Sequence, residues 1–267
     1  MPKKVVVLIV DPQIDFCSPS GALYVPGADK DMERLALMIK RVKDKIDDIF
    51  CSLDSHRLIH VAHPIWWLDE NGKHPNPFTI ISKDDVCGKN PKFRAYNPAY
   101  QKWSEQYVTK LADNNRYPLC IWPPHCLISS QGWGVYPSVF DALCEWEQQF
   151  ATVNYIPKGS NIKTEHYSIF QADVTDDEDP GTMLNTRIIK EIQDADLIAV
   201  AGEASSHCVA NSVLDLANNF GDANIKKLVF LTDCSSPVPG FEKQAEDFMK
   251  SMIARGMQVS TSVDFLK

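Results

Sequence analysis

Cys208 lies in the run Gly202-Glu203-Ala204-Ser205-Ser206-His207-Cys208-Val209, after the apolar stretch 197–201 and before a helical stretch at 210–220. A strand thus delivers a thiol to the first turn of a helix. There, unpaired N–H groups and partial positive charge favour thiolate over thiol and offer donors to a developing oxyanion. The other seven cysteines lack this setting. Read alone, Cys208 could equally be a small buried residue at a helix start. Two further strand ends carry charge: Val5–Val10 runs into Asp11-Pro12-Gln13-Ile14-Asp15-Phe16, and 152–156 into Pro157-Lys158-Gly159. Singly, Asp11 and Lys158 read as a cap and a solvated charge. Together with a thiol they are the parts of covalent acyl transfer: a carboxylate that takes the thiol proton and returns it to a leaving amine, and a cation that keeps the carboxylate ionised.

The histidines form a second group. Asp54-Ser55-His56 follows a second strand, His60 and His63 lie downstream, and Trp122-Pro123-Pro124-His125 follows a third. Side chains two apart in extended chain share a face, so Asp54 and His56 point the same way. With one or two more imidazoles they make an N,O site for Zn²⁺, Mn²⁺ or Fe²⁺, with positions left for water or substrate. His60 also reads as packing or surface, and His63, before Pro64, as a loop hydrogen-bonder. His74, His166 and His207 have no carboxylate or imidazole spaced to join them and read as structural.

Positioning these groups requires strands whose carboxyl ends meet at one crevice. Apolar periodicity predicts strands at Val5–Val10, 49–53, 119–122, 152–156, 197–201, 228–232 and 258–263. It predicts helices at 30–48, 138–149, 185–195, 210–220 and 241–255. This alternation implies a three-layer α/β/α fold on a central, mainly parallel sheet. At 267 residues the chain reads as one domain, 1–267. Residues 64–121 interrupt the pattern as an insertion: Pro75-Asn76-Pro77-Phe78, then a helix at 98–113 with Tyr100, Trp103, Tyr107 and Leu111 on one side. That aromatic stripe is expected to pack on the sheet; a lid, or a contact between identical subunits of a homo-oligomer, is the sharper alternative. Residues 175–181 form an acidic loop.

The formal charge of −8, without a Lys/Arg run, disfavours nucleic acid or anionic membrane as partner and suits a small neutral or cationic substrate. Met1-Pro2-Lys3-Lys4 precedes too few apolar residues for a signal or membrane segment. Eight cysteines without a Cys-x-x-Cys pair argue against a disulfide framework or zinc ribbon and make a reducing cytoplasm the default expectation.

Five segments occur in a familiar order: Asp11-Pro12-Gln13-Ile14-Asp15-Phe16-Cys17; Asp54-Ser55-His56; Trp122-Pro123-Pro124-His125-Cys126; Lys158-Gly159 with Tyr167-Ser168-Ile169-Phe170; and 202–209. In these the chain resembles the nicotinamidase branch of the isochorismatase-like cysteine hydrolases, over most of its length outside the insertion. The resemblance implies a triad of Asp11, Lys158 and Cys208, a cis Glu203–Ala204 peptide, and an oxyanion hole from the N–H groups of Ala204 and Cys208. It implies that Phe16 and Trp122 sandwich a flat ring. It also implies one divalent metal ion, Zn²⁺ foremost, with Mn²⁺ or Fe²⁺ as alternatives, held by Asp54, His56, His63 and His125; the family spacing favours His63 over His60. The implied activity is that of a cytoplasmic amidase of NAD metabolism and pyridine nucleotide salvage, hydrolysing nicotinamide to nicotinate and ammonia through a Cys208 thioester. A metal-independent isochorismatase-like or carbamoyl-amide hydrolase, and an inactive binding protein of the same fold, are the alternatives. The stretch from His63 to His125 is longer than in short bacterial members and lies where it can reshape the pocket mouth.

Overall fold

The computed structural model describes residues 3–114 and 116–267; Met1, Pro2 and Asn115, and with them the start of the amino-terminal run read above, lie outside the described residues. In chain order the elements are β1 (Val5–Val10), α1 (Ile14–Cys17), α2 (Ala28–Val42), β2 (Asp48–Asp54), β3 (Trp67–Asp69), β4 (Ile80–Ile81), α3 (Lys83–Cys87), β5 (Phe93–Ala95), α4 (Gln101–Asp113), β6 (Leu119–Cys120) and α5 (Pro137–Glu147). There follow β7 (Asn154–Lys158), α6 (Thr186–Gln193), β8 (Leu197–Gly202), α7 (Cys208–Phe220), α8 (Asp222–Ile225), β9 (Leu228–Leu231), α9 (Glu242–Ala254) and β10 (Gln258–Ser260).

Six strands pair in parallel in the order β10-β9-β8-β1-β2-β7. β1 is apolar throughout and buried throughout, as a parallel strand covered on both faces must be. Its alternate residues feed two cores. Val5, Val7 and Ile9 pack with Leu35 and Ile39 of α2 and with Leu143 and Trp146 of α5. Val6, Leu8 and Val10 pack with Ile192 of α6, Val213 and Leu216 of α7, and Phe248 and Met252 of α9. This is the three-layer α/β/α fold expected. No helix among the described residues is long and apolar enough to cross a membrane.

Three expectations need correction. The strand expected at 119–122 is only Leu119–Cys120 and does not enter the main sheet; it pairs antiparallel with Ile80–Ile81. The helix expected at 30–48 runs Ala28–Val42 and gives way to a 3-10 turn at Lys43–Lys45, and the last strand stops at Ser260. The aromatic stripe of α4 shares the core cluster of Val5, Val7 and Ile9 and is also tied to the loop after β7: Trp103 Nε1 donates to the Lys163 carbonyl at 2.6 Å, and the Glu165 N–H donates to Tyr107 Oη at 3.2 Å. A second antiparallel pair, β3 with β5, completes the insertion.

β1 and β8 lie so close that Gly202, at φ +113°, has no room for a side chain: a Cβ there would sit 2.0 Å from the Val10 carbonyl oxygen. Gly202→Ala is therefore expected to destabilise the protein by about 2–3 kcal/mol, in the range for overpacked interiors. A urea midpoint equal to wild type would show that the two strands can part without cost.

Candidate active site

β8, β1, β2 and β7 are neighbours in the sheet, so their carboxyl ends form one edge, where Gly202, Asp11, Asp54 and Lys158 emerge side by side. The Lys158 side chain is the hub. Its ammonium lies 2.9 Å from Asp11 Oδ2 and 3.2 Å from Asp54 Oδ1, donates to the His166 carbonyl at 2.9 Å, and approaches Cys208 Sγ at 3.5 Å. All four side chains are buried. Burial works against the ammonium, but Asp11 and Asp54 outweigh it and hold Lys158 well above its usual range. Ser52 completes the Asp11 environment, its hydroxyl donating to Oδ1 at 2.5 Å and accepting the Asp11 N–H at 3.0 Å.

The thiol is not the standing thiolate that a helix start alone suggests. Burial lifts the Cys208 thiol well above its ordinary value; Lys158 pulls against this, while Asp11 and Asp54 add to it. Burial likewise lifts the Asp11 carboxyl, opposed by Lys158 and assisted by Asp54. A neutral thiol beside a carboxylate of raised basicity is set up for proton transfer during attack, not before it.

The Glu203–Ala204 peptide is cis. Around it the Ser205 N–H donates to the Ser236 carbonyl, and the N–H groups of His207 and Val209 both donate to the Ala204 carbonyl. Among the described residues the amides of Ala204 and Cys208 make no such bond and remain available to a ligand at Sγ.

Cys208 and Ala204 line a cavity with Phe16, Trp122, Tyr167, His207, Leu23, Val25, Val238, Asp54, His125 and Glu165. Trp122 Nε1 donates to Tyr167 Oη at 2.9 Å, and Phe16 meets His125 edge-on at 5.3 Å, so both aromatic walls are held from behind. Tyr167 belongs to a segment the sequence singled out without a role. Glu165 was not singled out, and His207, read as structural, stands against the Trp122 and Phe241 rings in the cavity wall. The stretch 159–185 has no apolar periodicity from which Glu165 or Tyr167 could have been placed.

At the other end of the cavity, ligand atoms of Asp54, His56 and His125 lie within 4.8 Å of one another, and so do those of His56, His60 and Glu165. Which imidazoles are free to ligate follows from their hydrogen bonds. His56 Nδ1 donates to the Gly159 carbonyl at 3.2 Å, His125 Nδ1 to the Pro123 carbonyl at 2.8 Å, and His63 Nδ1 to the Leu58 carbonyl at 3.0 Å. That leaves each Nε2 free of a carbonyl, and those of His56 and His125 stand 2.9 and 3.3 Å from Asp54 Oδ2, while His63 joins neither group of mutually close ligand atoms. Nε2 of His56 and of His63 is buried with no hydrogen-bond partner, and the approach of His56 Nε2 to Asp54 Oδ2 is a contact between two acceptors unless the imidazole is protonated. Such an arrangement wants a cation between the groups. His60 differs: its Nδ1 accepts the Ala62 N–H at 3.2 Å and its Nε2 donates to the Thr164 carbonyl at 3.1 Å, so both nitrogens are spent.

The charges do not repeat that division, since His63 and His60 shift the same way. Burial opposes protonation of His56, but Asp54 overcomes it and lifts the imidazole to about 8. Burial and the neighbouring imidazoles push His63 down to about 3 and His60 well below its usual range. Burial would raise the Asp54 carboxyl, yet His56 and Lys158 hold it well below the carboxylate range. A carboxylate facing imidazole nitrogens without other partners fits a divalent ion of borderline softness, which would take the place of the proton that Asp54 draws onto His56.

Short-range contacts keep the two halves in register. Gln13 receives the Asp54 N–H at 2.6 Å and donates to the Asp54 carbonyl at 2.8 Å, while Asp15 accepts the Cys126 N–H at 2.7 Å. His56 also forms a one-residue parallel bridge with Leu127, which carries His125 towards it. Gly159, at φ +80°, keeps clear the space in which a Cβ would stand 2.9 Å from Asp54 Oδ1 and 3.0 Å from His56 Cε1. All eight cysteines are free.

No protein-family model matches the sequence, and no curated protein matches it. Solved structures do match. A nicotinamidase/pyrazinamidase of Acinetobacter baumanii is 20% identical over 100% of both chains with a TM-score of 0.67. The yeast nicotinamidase bound to the inhibitor nicotinaldehyde is 16% identical, over 96% of this chain and 99% of that one, with a TM-score of 0.66. The pyrazinamidase of Pyrococcus horikoshii in complex with zinc is 17% identical, over 97% and 99%, with a TM-score of 0.55. At these identities the likeness establishes that the chain has their fold.

The ring tautomers set His60 apart from the other three imidazoles in a measurable way. After dialysis against a mild chelator, wild type is expected to retain one divalent ion per chain, and His56→Ala, His63→Ala and His125→Ala to retain much less. His60→Ala should keep it. Elemental analysis showing loss in His60→Ala and not in His63→Ala would reverse the assignment, and a wild type without metal would remove it.

Proposed function

We propose that the protein is a cysteine amidohydrolase converting nicotinamide to nicotinate and ammonia, with Asp11, Lys158 and Cys208 as its catalytic triad. The observation that carries this reading is one buried ammonium bridging a carboxylate and a thiol, 2.9 Å from Asp11 and 3.5 Å from Cys208, with Cys208 lining an aromatic-walled cavity. A small heteroaromatic amide suits that cavity: Phe16 and Trp122 offer the ring two flat apolar faces, and its amide end can reach Sγ. The polar far end, with Asp54, His56, His63 and His125, is where a divalent ion, zinc by preference, would be held. When bound, that ion supplies a Lewis-acid contact for a ring nitrogen, an orienting role.

The residues of the chain then account for the chemistry. Asp11 takes the Cys208 proton as sulfur attacks the amide carbon, and Lys158 stabilises the negative charge while it moves between the two. The carbonyl oxygen becomes an oxyanion facing the Ala204 and Cys208 N–H groups. When the C–N bond breaks, Asp11 passes its proton to the departing nitrogen, leaving ammonia and an acyl thioester. Asp11, again ionised, removes a proton from water, whose oxygen attacks the thioester; the acid leaves and the thiol regains its proton.

Cys208→Ala is expected to release no ammonia from nicotinamide while keeping the wild-type circular dichroism spectrum. Asp11→Asn should lower kcat by a factor of about 10² or more, the range for general acid–base catalysis. Alkylation separates the roles of the charges in a Cys87→Ser background, which removes the exposed thiol. Lys158→Met takes away the cation that lowers the Cys208 pKa, so the pH dependence of iodoacetamide labelling should move upward. Asp11→Asn takes away an anion that raises that pKa, so its profile should move downward even as turnover collapses. Full ammonia release by Cys208→Ala would refute the covalent route; two unmoved profiles would reduce Asp11 and Lys158 to bystanders.

A further inference from the structure

Glu203 precedes Ala204, belongs to neither the triad nor the histidine cluster, and is fully buried. Its Oε2 accepts the Ser236 N–H at 3.1 Å, and the Ser236 carbonyl accepts the Ser205 N–H at 2.9 Å. The residues on either side of Ala204 therefore grip one residue of a neighbouring loop by its two main-chain groups. That loop is anchored in turn: Ser236 Oγ donates to Asp31 Oδ2 at 2.5 Å, and Arg34 joins Asp31 Oδ1 to the Asp233 carbonyl, both at 2.5 Å. The chain thus ties the turn, through side chains, to the amino-terminal half of α2.

Glu203 Oε1 has no hydrogen-bond partner as an acceptor. A buried oxygen in that state is left uncompensated unless it carries the proton and donates. Burial and the adjacent Asp31 both push the Glu203 carboxyl well above its usual range, towards the protonated form. The titratable and charged groups facing Glu203 are Asp31 and Arg34 of α2 and the Cys17 thiol of α1.

We infer that Glu203 is a positioning residue for acyl transfer: with Ser236 it clamps both flanks of Ala204 and so aims the Ala204 N–H at the oxygen of the carbonyl that Cys208 attacks. The inference rests on the amidohydrolase reading above. An oxyanion donor is effective only if it is already in place when charge develops, because reorganising it during the reaction forfeits its advantage. The clamp supplies that fixity from outside the cavity, without touching the substrate. In its protonated form Glu203 accepts from Ser236 through one oxygen and carries a donor on the other, the same pattern a glutamine amide offers.

The test compares Glu203→Gln with Glu203→Ala, and with Glu203→Met should the alanine protein fail to fold. Glu203→Gln should keep kcat close to wild type. Glu203→Ala or Glu203→Met should lose about 10²-fold in kcat with KM unchanged, the scale for losing one oxyanion donor. Nicotinaldehyde reports the same contact without turnover, since Cys208 sulfur bonds to its carbon and the oxygen takes the thiol proton and the oxyanion's place. Its affinity should fall with kcat, while binding of intact nicotinamide to a Cys208→Ala protein stays the same with or without Glu203. Wild-type kcat in a folded Glu203→Ala or Glu203→Met protein, a loss confined to KM, or a Glu203→Gln protein as impaired as the apolar variants would overturn the inference. Absence of amide turnover in wild type would sink the amidohydrolase reading instead, and the aldehyde comparison, which needs only the thiol and the turn, would still decide the role of Glu203.

Discussion

One buried ammonium organises this molecule. Removing a lysine from water is affordable only where anions and carbonyls replace its hydration, and stripping one partner from a buried ion pair typically costs about 3–5 kcal/mol. Lys158 meets that demand with Asp11, Asp54 and the His166 carbonyl. Those partners come from β1, from β2 and from the loop beyond β7, so satisfying one charge fixes the relative placement of three chain segments. The thiol of Cys208, at the start of α7, is the fourth neighbour. Because Asp54 also faces the imidazoles, the same ammonium couples the candidate metal cluster to the candidate nucleophile.

Sheet order explains why this can happen. β1 is central, with β8 on one side and β2 then β7 on the other, so adjacent carboxyl ends supply the thiol turn, Asp11, Asp54 and Lys158 in spatial succession. None of these groups needs a long loop to reach its place. The supporting residues are equally local: Gln13 and Asp15 lie within four residues of Asp11 and hold the chain near Asp54 and Cys126. The polar residues of the Asp11–Phe16 segment therefore divide the labour, with Asp11 facing the thiol and the others securing the loops that carry the imidazoles.

Much of this was legible in the sequence, for identifiable reasons. β1 announced itself by six consecutive apolar residues, and the charges at strand ends stood out against apolar neighbours. The placement of β6 outside the main sheet was not legible, since two buried residues look alike in either sheet. The state of the thiol also escaped: the helix start is written in the sequence, but the burial that outweighs it is a property of the packed molecule. His60 and His63 could be separated only by family spacing; what distinguishes them physically is which ring nitrogens the surrounding carbonyls and amides occupy. Glu165 and His207 act at the cavity wall by virtue of long-range folding, for which local pattern holds no signal.

The insertion also bears on how freely the chain can change. It leaves the site just after Ala62 and returns at Trp122, and these two residues are joined directly, the Trp122 N–H donating to the Ala62 carbonyl at 2.8 Å. Exit and entry are pinned at one point, so what lies between is a closed excursion whose ends do not move with its length. Loop-closure entropy rises only logarithmically, each doubling costing about 0.6 kcal/mol. Residues can thus be added to the exposed turns of the excursion at little thermodynamic cost while its buried side chains, Trp67 and Tyr107 among them, hold their places and Trp122 and His125 stay where the cavity needs them.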